Sequence, residues 1–238
     1  MPILFVLILG LIIGGLNMDH VHVREKILMR TETLEAKDFT YLFGKLDGLS
    51  EEQLRQHNEL YKKYVAKYNE VTEKLKDADR SAANHNYSDY RSLLVDLTHN
   101  QNGVVLHELY FSNLTDNFEV PSEELIELVE KDFGTWENFE KDLKAAAEAS
   151  RAGWAITAYN YRDGKIYNYA IDQHNLHVPI DMKPILVLDT WEHAFAVDYG
   201  IDKKSYIKAF FDNVNWQAMY NRLNSALESE HLLEKSTM

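Results

Sequence analysis

Cysteine is absent from the 238 residues. That excludes disulfides, zinc–thiolate sites and thiol catalysis, and it leaves any transition metal to histidine and carboxylate ligands. The absence does not choose a compartment. Positive charge is also scarce: 25 Lys and Arg stand against 38 Asp and Glu, a net charge of −13. Such a balance argues against nucleic acid or an anionic membrane surface as a partner. It offers no long-range attraction to an anionic substrate either, so any steering has to come from local Lys and Arg. One apolar run, Ile3 to Leu16 (ILFVLILGLIIGGL), is shorter than the roughly 20 residues a membrane-spanning helix needs. It is like the apolar part of a signal peptide, yet no Lys or Arg precedes it and no A-x-A-like site follows. Three readings stand side by side: an export signal, a membrane tether, or an upstream start codon with the protein proper beginning at Met18. The chain is cytoplasmic on the last reading and exported or tethered on the others, and it meets a membrane only if residues 3–16 are retained.

What is present is ordinary for a soluble globule, with 45% hydrophobic and 26% charged residues. The length suits one large domain or two small ones. Met18 to Thr40 is polar and unpatterned and reads as an extension of low order. Ser50-Glu-Glu-Gln53 is a capping box that should open a helix from about Glu51 to Lys76. Leu54, His57, Leu60, Tyr61, Tyr64, Val65 and Tyr68 recur at three- and four-residue steps and form one semi-buried face. Taken alone, His57 is a core-edge histidine bonded to a neighbour. After a polar break at Asp77 to Asn86, a second helix is expected from about Ser88 to Leu114, with a possible interruption at Asn100-Gln-Asn-Gly103. His107 sits in its apolar part (Val-Val-Leu-His-Glu-Leu-Tyr-Phe), where a histidine needs a partner. Asn113 to Pro121 reads as a linker.

Helices are then expected over Ser122 to Lys131 and Thr135 to Ser150, the first capped by Ser122 with Glu123 and Glu124 in its first turn. Gly153-Trp-Ala-Ile-Thr-Ala-Tyr159 and Lys165-Ile-Tyr-Asn-Tyr-Ala-Ile171 are strand-like runs around the hairpin signal Arg162-Asp-Gly164. Pro184-Ile-Leu-Val-Leu188 supplies a third strand and delivers Asp189 at its end. If the chain turns helical there, His193 lies one turn on and faces the same way. A carboxylate and an imidazole so placed make half of a metal site, although an Asp at a strand end is more often a helix cap.

The full string Asp189-Thr-Trp-Glu-His193-Ala resembles the C-terminal signature of the iron/manganese superoxide dismutases, in which the Asp and the His are metal ligands. The resemblance runs from about Leu46 to Leu227. It implies an α+β fold: an N-terminal antiparallel helical hairpin domain, then a C-terminal domain with a three-stranded antiparallel sheet surrounded by helices. The implied limits are an extension over 1–45, the hairpin domain over 46–115 and an α/β metal-binding domain over 120–238. His57-x-x-x-Tyr61-x-x-Tyr64-Val-x-x-x-Asn69 resembles the family's first helix, where a ligand His precedes a gateway Tyr-Val. In the family's usual spacing that His lies eight residues before the Tyr, whereas His57 precedes Tyr64 by seven. A wide turn present in the family helix and missing here, such as a π-bulge, reconciles the two; otherwise the position falls on Gln56. Asn-x-x-Gly-x-x-x-His107 resembles the second ligand motif.

The resemblance thus implies one Fe or Mn ion per subunit, held by His57, His107, Asp189 and His193, with superoxide as the substrate. Three imidazoles and one carboxylate without thiolate suit those metals and leave one position for solvent. Phe133-Gly-Thr-Trp to Gly153-Trp154 resembles the family's F-G-S-F to G-W stretch and makes Trp154 a wall of the cavity. In the loop after Asp172, the family supplies an outer-sphere Gln or His that bonds the coordinated solvent. His174 matches the position in the His-bearing branches, Gln173 stands beside it, and His177 is a third candidate. The family's other source of that Gln, four residues before the second ligand His, is Gly103 here. Tyr64 then lines substrate access and relays protons. Glu192 is implied to reach across a two-fold interface to the partner's His193, in a homodimer or a dimer of dimers. The family pairs a first-helix His with a Tyr across that interface, and Tyr61 and Ala196 stand in those places. His20, His22, His85, His99 and His231 are left as solvated residues.

Other functions fit parts of the pattern. A hydrolase with three His and an Asp would add a general base or a second metal. A non-haem iron oxygenase wants two His and one carboxylate. A non-catalytic relative that only binds metal fits the shortened spacing.

Overall fold

The computed structural model describes residues 33–237, with side chains through residue 231. Met1–Leu34 and Glu35–Met238 are separate units, and the first lies almost wholly outside the described residues, the apolar run 3–16 and Met18 included. Among the described residues no helix is long and apolar enough to cross a membrane.

Helix α1 spans Glu51–Lys76 and α2 spans Asp89–Phe111. Tyr61 meets Glu108, Tyr64 meets Gly103 and Arg80 lies over Tyr90, so the two run antiparallel. Helices α3 (Glu123–Phe133) and α4 (Trp136–Ala149) follow. Each of the four opens on a hydroxyl residue, Ser50, Ser88, Ser122 or Thr135, that accepts from an amide three residues on. That bond satisfies one of the four orphaned donors of a helix start. The interruption expected at Asn100–Gly103 does not occur. Asn100 is absorbed into α2 by donating its side-chain amide to the Asp96 carbonyl at 2.7 Å.

Strands β1 (Gly153–Asn160), β2 (Lys165–Asp172) and β3 (Met182–Asp189) form an antiparallel sheet in the order β2-β1-β3. β1 is central, and all but its last residue is buried. β3 is an edge strand, so it tolerates Pro184, and the register slips beside it between Thr157 and Ala158. The bulge bends β3 while its last five residues stay buried and carry Asp189 into the interior. A 3-10 turn over Glu192–Ala194, α5 (Ala196–Tyr199), α6 (Lys203–Asp212) and α7 (Trp216–Thr237) complete the chain. Helices α2 and α7 both pack on β3, and α4 packs on β1 and β2, which is the α+β arrangement expected.

The stretch expected to be loose up to Thr40 is ordered from Glu35. Phe39 is buried and stacks on Phe111 at 4.9 Å, Leu42 is fully buried, and the Lys37 amide donates to the Tyr61 hydroxyl at 2.9 Å. The aromatic side of the helical hairpin needs an apolar cover, and this strap supplies it.

Candidate metal centre

Four side chains converge where the end of β3 meets the helical hairpin. His57 Nε2 lies 3.1 Å from Asp189 Oδ2, His193 Nε2 lies 3.2 Å from it, and His107 Nε2 lies 3.8 Å from it. One ligand atom from each residue lies within 4.8 Å of the others. That spread is close to twice the bond length of about 2.0–2.2 Å that imidazole and carboxylate ligands make to a transition ion. His57, His107 and Asp189 are completely buried, and His193 retains a quarter of its side-chain exposure.

The backbone explains each position. α1 is α-helical throughout, with no wide turn, so residues seven apart share a face and His57 lies two turns from Tyr64 on the inner side. Gln56 points outward and donates to Glu52 Oε1 at 2.7 Å. His107 faces the site because its Nδ1–H donates to the Gly103 carbonyl one turn back, at 2.6 Å. Asp189 Oδ1 accepts from the Trp191 amide at 2.9 Å, which turns the chain and aims Oδ2 at the three imidazoles. The Asp189 carbonyl accepts from the Tyr206 hydroxyl at 2.8 Å.

A cation fits these residues on chemical grounds. With its Nδ1 proton donated, neutral His107 presents a bare lone pair at Nε2, and that buried atom has no hydrogen-bond partner. A lone pair aimed at a buried carboxylate is repulsive unless a positive charge lies between them. Burial pulls His57 and His107 below the usual histidine range and keeps them neutral, the state a metal ligand requires. Burial alone would raise Asp189. The charge and hydrogen bond of His193 and the hydrogen bond of His57 outweigh it and hold the carboxyl below its ordinary range.

A second group adjoins the first. Trp154 Nε1–H donates to His174 Nδ1 at 3.0 Å, and His174 Nε2 meets the Tyr64 hydroxyl at 2.7 Å. Because Nδ1 accepts, the proton of neutral His174 resides on Nε2 and is donated to the Tyr64 oxygen. Tyr64 therefore keeps its own proton free to donate elsewhere. Burial lowers His174 to about 4. Burial, followed by the charge of Asp189, pushes Tyr64 up to about 12. Gln173 is exposed, and His177 is exposed and leans toward Asp172.

Several placements differ from expectation. Tyr61 is fully buried within its own chain, with its hydroxyl donating to Glu108 Oε1 at 3.0 Å and accepting from Lys37. Its ring is thereby unavailable to meet Ala196 of a second copy; Glu192 and Ala196 themselves are exposed. His99 is not solvated but half-buried against Tyr64 and His174. His85 and His231 are exposed. Gln53 does not close the capping box: its amide donates to the His193 carbonyl at 2.6 Å and accepts from the Val197 amide at 3.0 Å. Capping patterns alone carry no sign of that tie, because it depends on a partner 140 residues away.

Comparison with known proteins follows the same line. Residues 121–222 match the family model described as Iron/manganese superoxide dismutases, C-terminal domain. An iron superoxide dismutase of Aquifex pyrophilus is 46% identical over 194 residues, covering 79% of this chain and 91% of that protein. An iron superoxide dismutase of Methanothermobacter marburgensis is 33% identical over 202 residues, 82% of this chain and 98% of the relative. Superoxide dismutase [Mn] 1 of Halobacterium salinarum is 34% identical over 182 residues, 76% and 89% respectively. With the fold, the clustered donors and these relatives in agreement, the chain belongs to the iron/manganese superoxide dismutases.

Proposed function

We propose that this chain disproportionates superoxide to O2 and H2O2 with one iron or manganese ion held by His57, His107, Asp189 and His193. The observation that carries the proposal is the convergence of three imidazole Nε2 atoms on one buried carboxylate oxygen. A bound ion of either metal would supply the one-electron redox chemistry by which one superoxide gives up an electron to become O2 and a second gains one, with two protons, to become H2O2.

The chain's own groups do the rest. Asp189 sets the charge of the donor set, and its Oδ1 bond to the Trp191 amide prevents it from swinging away. Tyr64, protonated at every physiological pH, is a proton donor at the edge of the site. Trp154 fixes the tautomer of His174 through a single N–H, and His174 in turn orients the Tyr64 hydroxyl. Gly103 has no side chain to offer the centre, and the burial of His174 with its bonds to Trp154 and Tyr64, against an exposed Gln173, supports His174 as the outer-sphere residue.

The test joins metal content to turnover. Protein purified without added metal should hold close to one Fe or Mn per chain and dismutate superoxide. His57→Ala should lose both metal and activity, whereas Gln56→Ala should keep both. Metal loss in Gln56→Ala but not in His57→Ala would refute the assignment on α1. Full metal content without dismutation would leave a metal-binding relative that is not an enzyme.

A further inference from the structure

The loop that carries His174 does not hold it there unaided. Gln173, His177 and Asp181 have positive φ angles of 56°, 63° and 69°, and Gln173 immediately precedes His174. Non-glycine backbone of this kind persists only where surrounding contacts over-determine it. From the sheet side the Gln173 amide donates to the Ala152 carbonyl at 2.7 Å, the Leu176 amide to the Asp172 carbonyl at 3.2 Å, the Tyr161 amide to the Asp181 carbonyl at 3.0 Å and Trp154 to His174. Two more contacts come from one stretch of α2. Asn102 Nδ2 donates to the His174 carbonyl at 2.9 Å, and Asn175 Nδ2 donates to Thr98 Oγ1 at 2.9 Å.

His99 lies between those two ties. Its ring lies 4.6 Å from the His174 ring at 55° and 6.0 Å from the Tyr64 ring at 58°. Trp154, Trp191 and His107 also border His174. Of these neighbours, Trp154 and His107 are fully buried, whereas Trp191 and His99 are partly so. Of the latter two, His99 is the one that packs against both His174 and Tyr64, on α2 beside the exposed Thr98. A hydrogen bond between neutral groups is worth little where water can compete for both partners. The bond from His174 to Tyr64 therefore depends on what covers it from outside.

We propose that His99 is a positioning residue of this centre: its ring, set on α2 between the Thr98 and Asn102 ties to the loop, keeps His174 turned so that Nε2–H meets the Tyr64 oxygen, and it screens that bond from solvent. The proposal deepens the dismutase reading and rests on it for its effect on turnover, but not for its effect on geometry. His99 has no ring contact with a metal-ligand histidine among the described residues, so its loss should act on the Tyr64–His174 pair and spare the metal.

The experiment compares crystal structures, bound metal and turnover of the full-length metal-loaded protein. The variants are His99→Ala, His99→Gln, His99→Phe and, as a control on the same loop, His177→Ala. His99→Ala should retain its metal, lengthen the 2.7 Å contact between His174 and Tyr64 beyond hydrogen-bonding range, and lower turnover about tenfold. His99→Gln, with a polar group but no ring, should behave the same way and serves if the alanine variant does not fold. His99→Phe, with a ring but no ring nitrogen, should restore most of the contact and the turnover. His177→Ala should match the wild type. An unchanged contact in His99→Ala, whatever its turnover, overturns the proposal, as does a phenylalanine variant no better than alanine. A lengthened contact without loss of turnover leaves the positioning role intact and instead removes the Tyr64–His174 pair from the dismutase mechanism.

Discussion

Gly103 is where a single methyl group would be felt most. A Cβ there would lie 2.8 Å from Tyr64 Cδ1 and 3.0 Å from Cγ, against the rigid stem of the ring rather than a movable end. Gly to Ala inside a helix gains about 0.5–1 kcal/mol in backbone entropy, but overfilling a packed site costs about 1–3 kcal/mol. The steric cost wins, and the Tyr64 ring has to shift relative to His174. Gly103→Ala should therefore keep its metal, because the His107 bond to residue 103 uses only the backbone carbonyl. Its turnover should fall by about 10- to 100-fold. Normal turnover in this variant, measured with metal content, would mean that the position of Tyr64 does not matter.

Among the elements, α7 holds β3 in register through one cation. Arg222 donates to the Asn113 side-chain oxygen, to the Ile185 carbonyl at 3.1 Å and to Ser112 Oγ at 2.7 Å. Asn113 in turn donates to the Val187 carbonyl at 2.8 Å, two residues before Asp189. Burial lowers the guanidinium to about 10, so it is still charged at neutral pH. Removing the donors strands a carbonyl and an amide oxygen in the interior beside the β3 bulge. Arg222→Met keeps most of the side-chain stem and should cost about 2–3 kcal/mol, seen as a lower urea midpoint at unchanged slope. An unchanged midpoint would show that water satisfies those acceptors.

At the scale of the whole molecule, the surface beside the centre is open. Glu192 and Ala196 are exposed, Val197 is 47% and Ile201 fully exposed, and all lie close in sequence to a ligand histidine that is itself partly open. We propose a homodimer in which Glu192 of each copy accepts a bond from His193 of the partner subunit. A two-fold arrangement makes the contact twice, and a charged hydrogen bond is worth about 1.5–3 kcal/mol. Glu192→Ala should therefore raise the dimer dissociation constant by about 10²- to 10⁴-fold and loosen the metal as well. Sedimentation of wild type and variant over a dilution series measures the first effect and metal analysis the second. A wild type that stays monomeric while fully active would sink the shared-site arrangement.

The sequence by itself determined the elements and most of the donors. Hydroxyl caps, apolar periodicity and the hairpin signal act over a few residues, and the starts of the first four helices and the three strands follow from them without tertiary information. Asp189 and His193 were legible because the string Asp189-Thr-Trp-Glu-His193-Ala resembles the family signature; their spacing alone gave no more than half of a site. Tertiary structure decided what lies between segments distant in the chain. It took the side chain of Gln53 from a local cap to the backbone of His193 and Val197, because a buried amide with two long-range partners outweighs a solvent-exposed one. It buried Tyr61 under the 35–43 strap, where a sequence pattern allowed an interface. It turned His174 inward toward Trp154 and Tyr64 and left its neighbour Gln173, whose backbone is left-handed, exposed. It also drew His99 out of the solvated class, since only the packing of α2 against a loop some 75 residues later brings the two imidazoles within 4.6 Å.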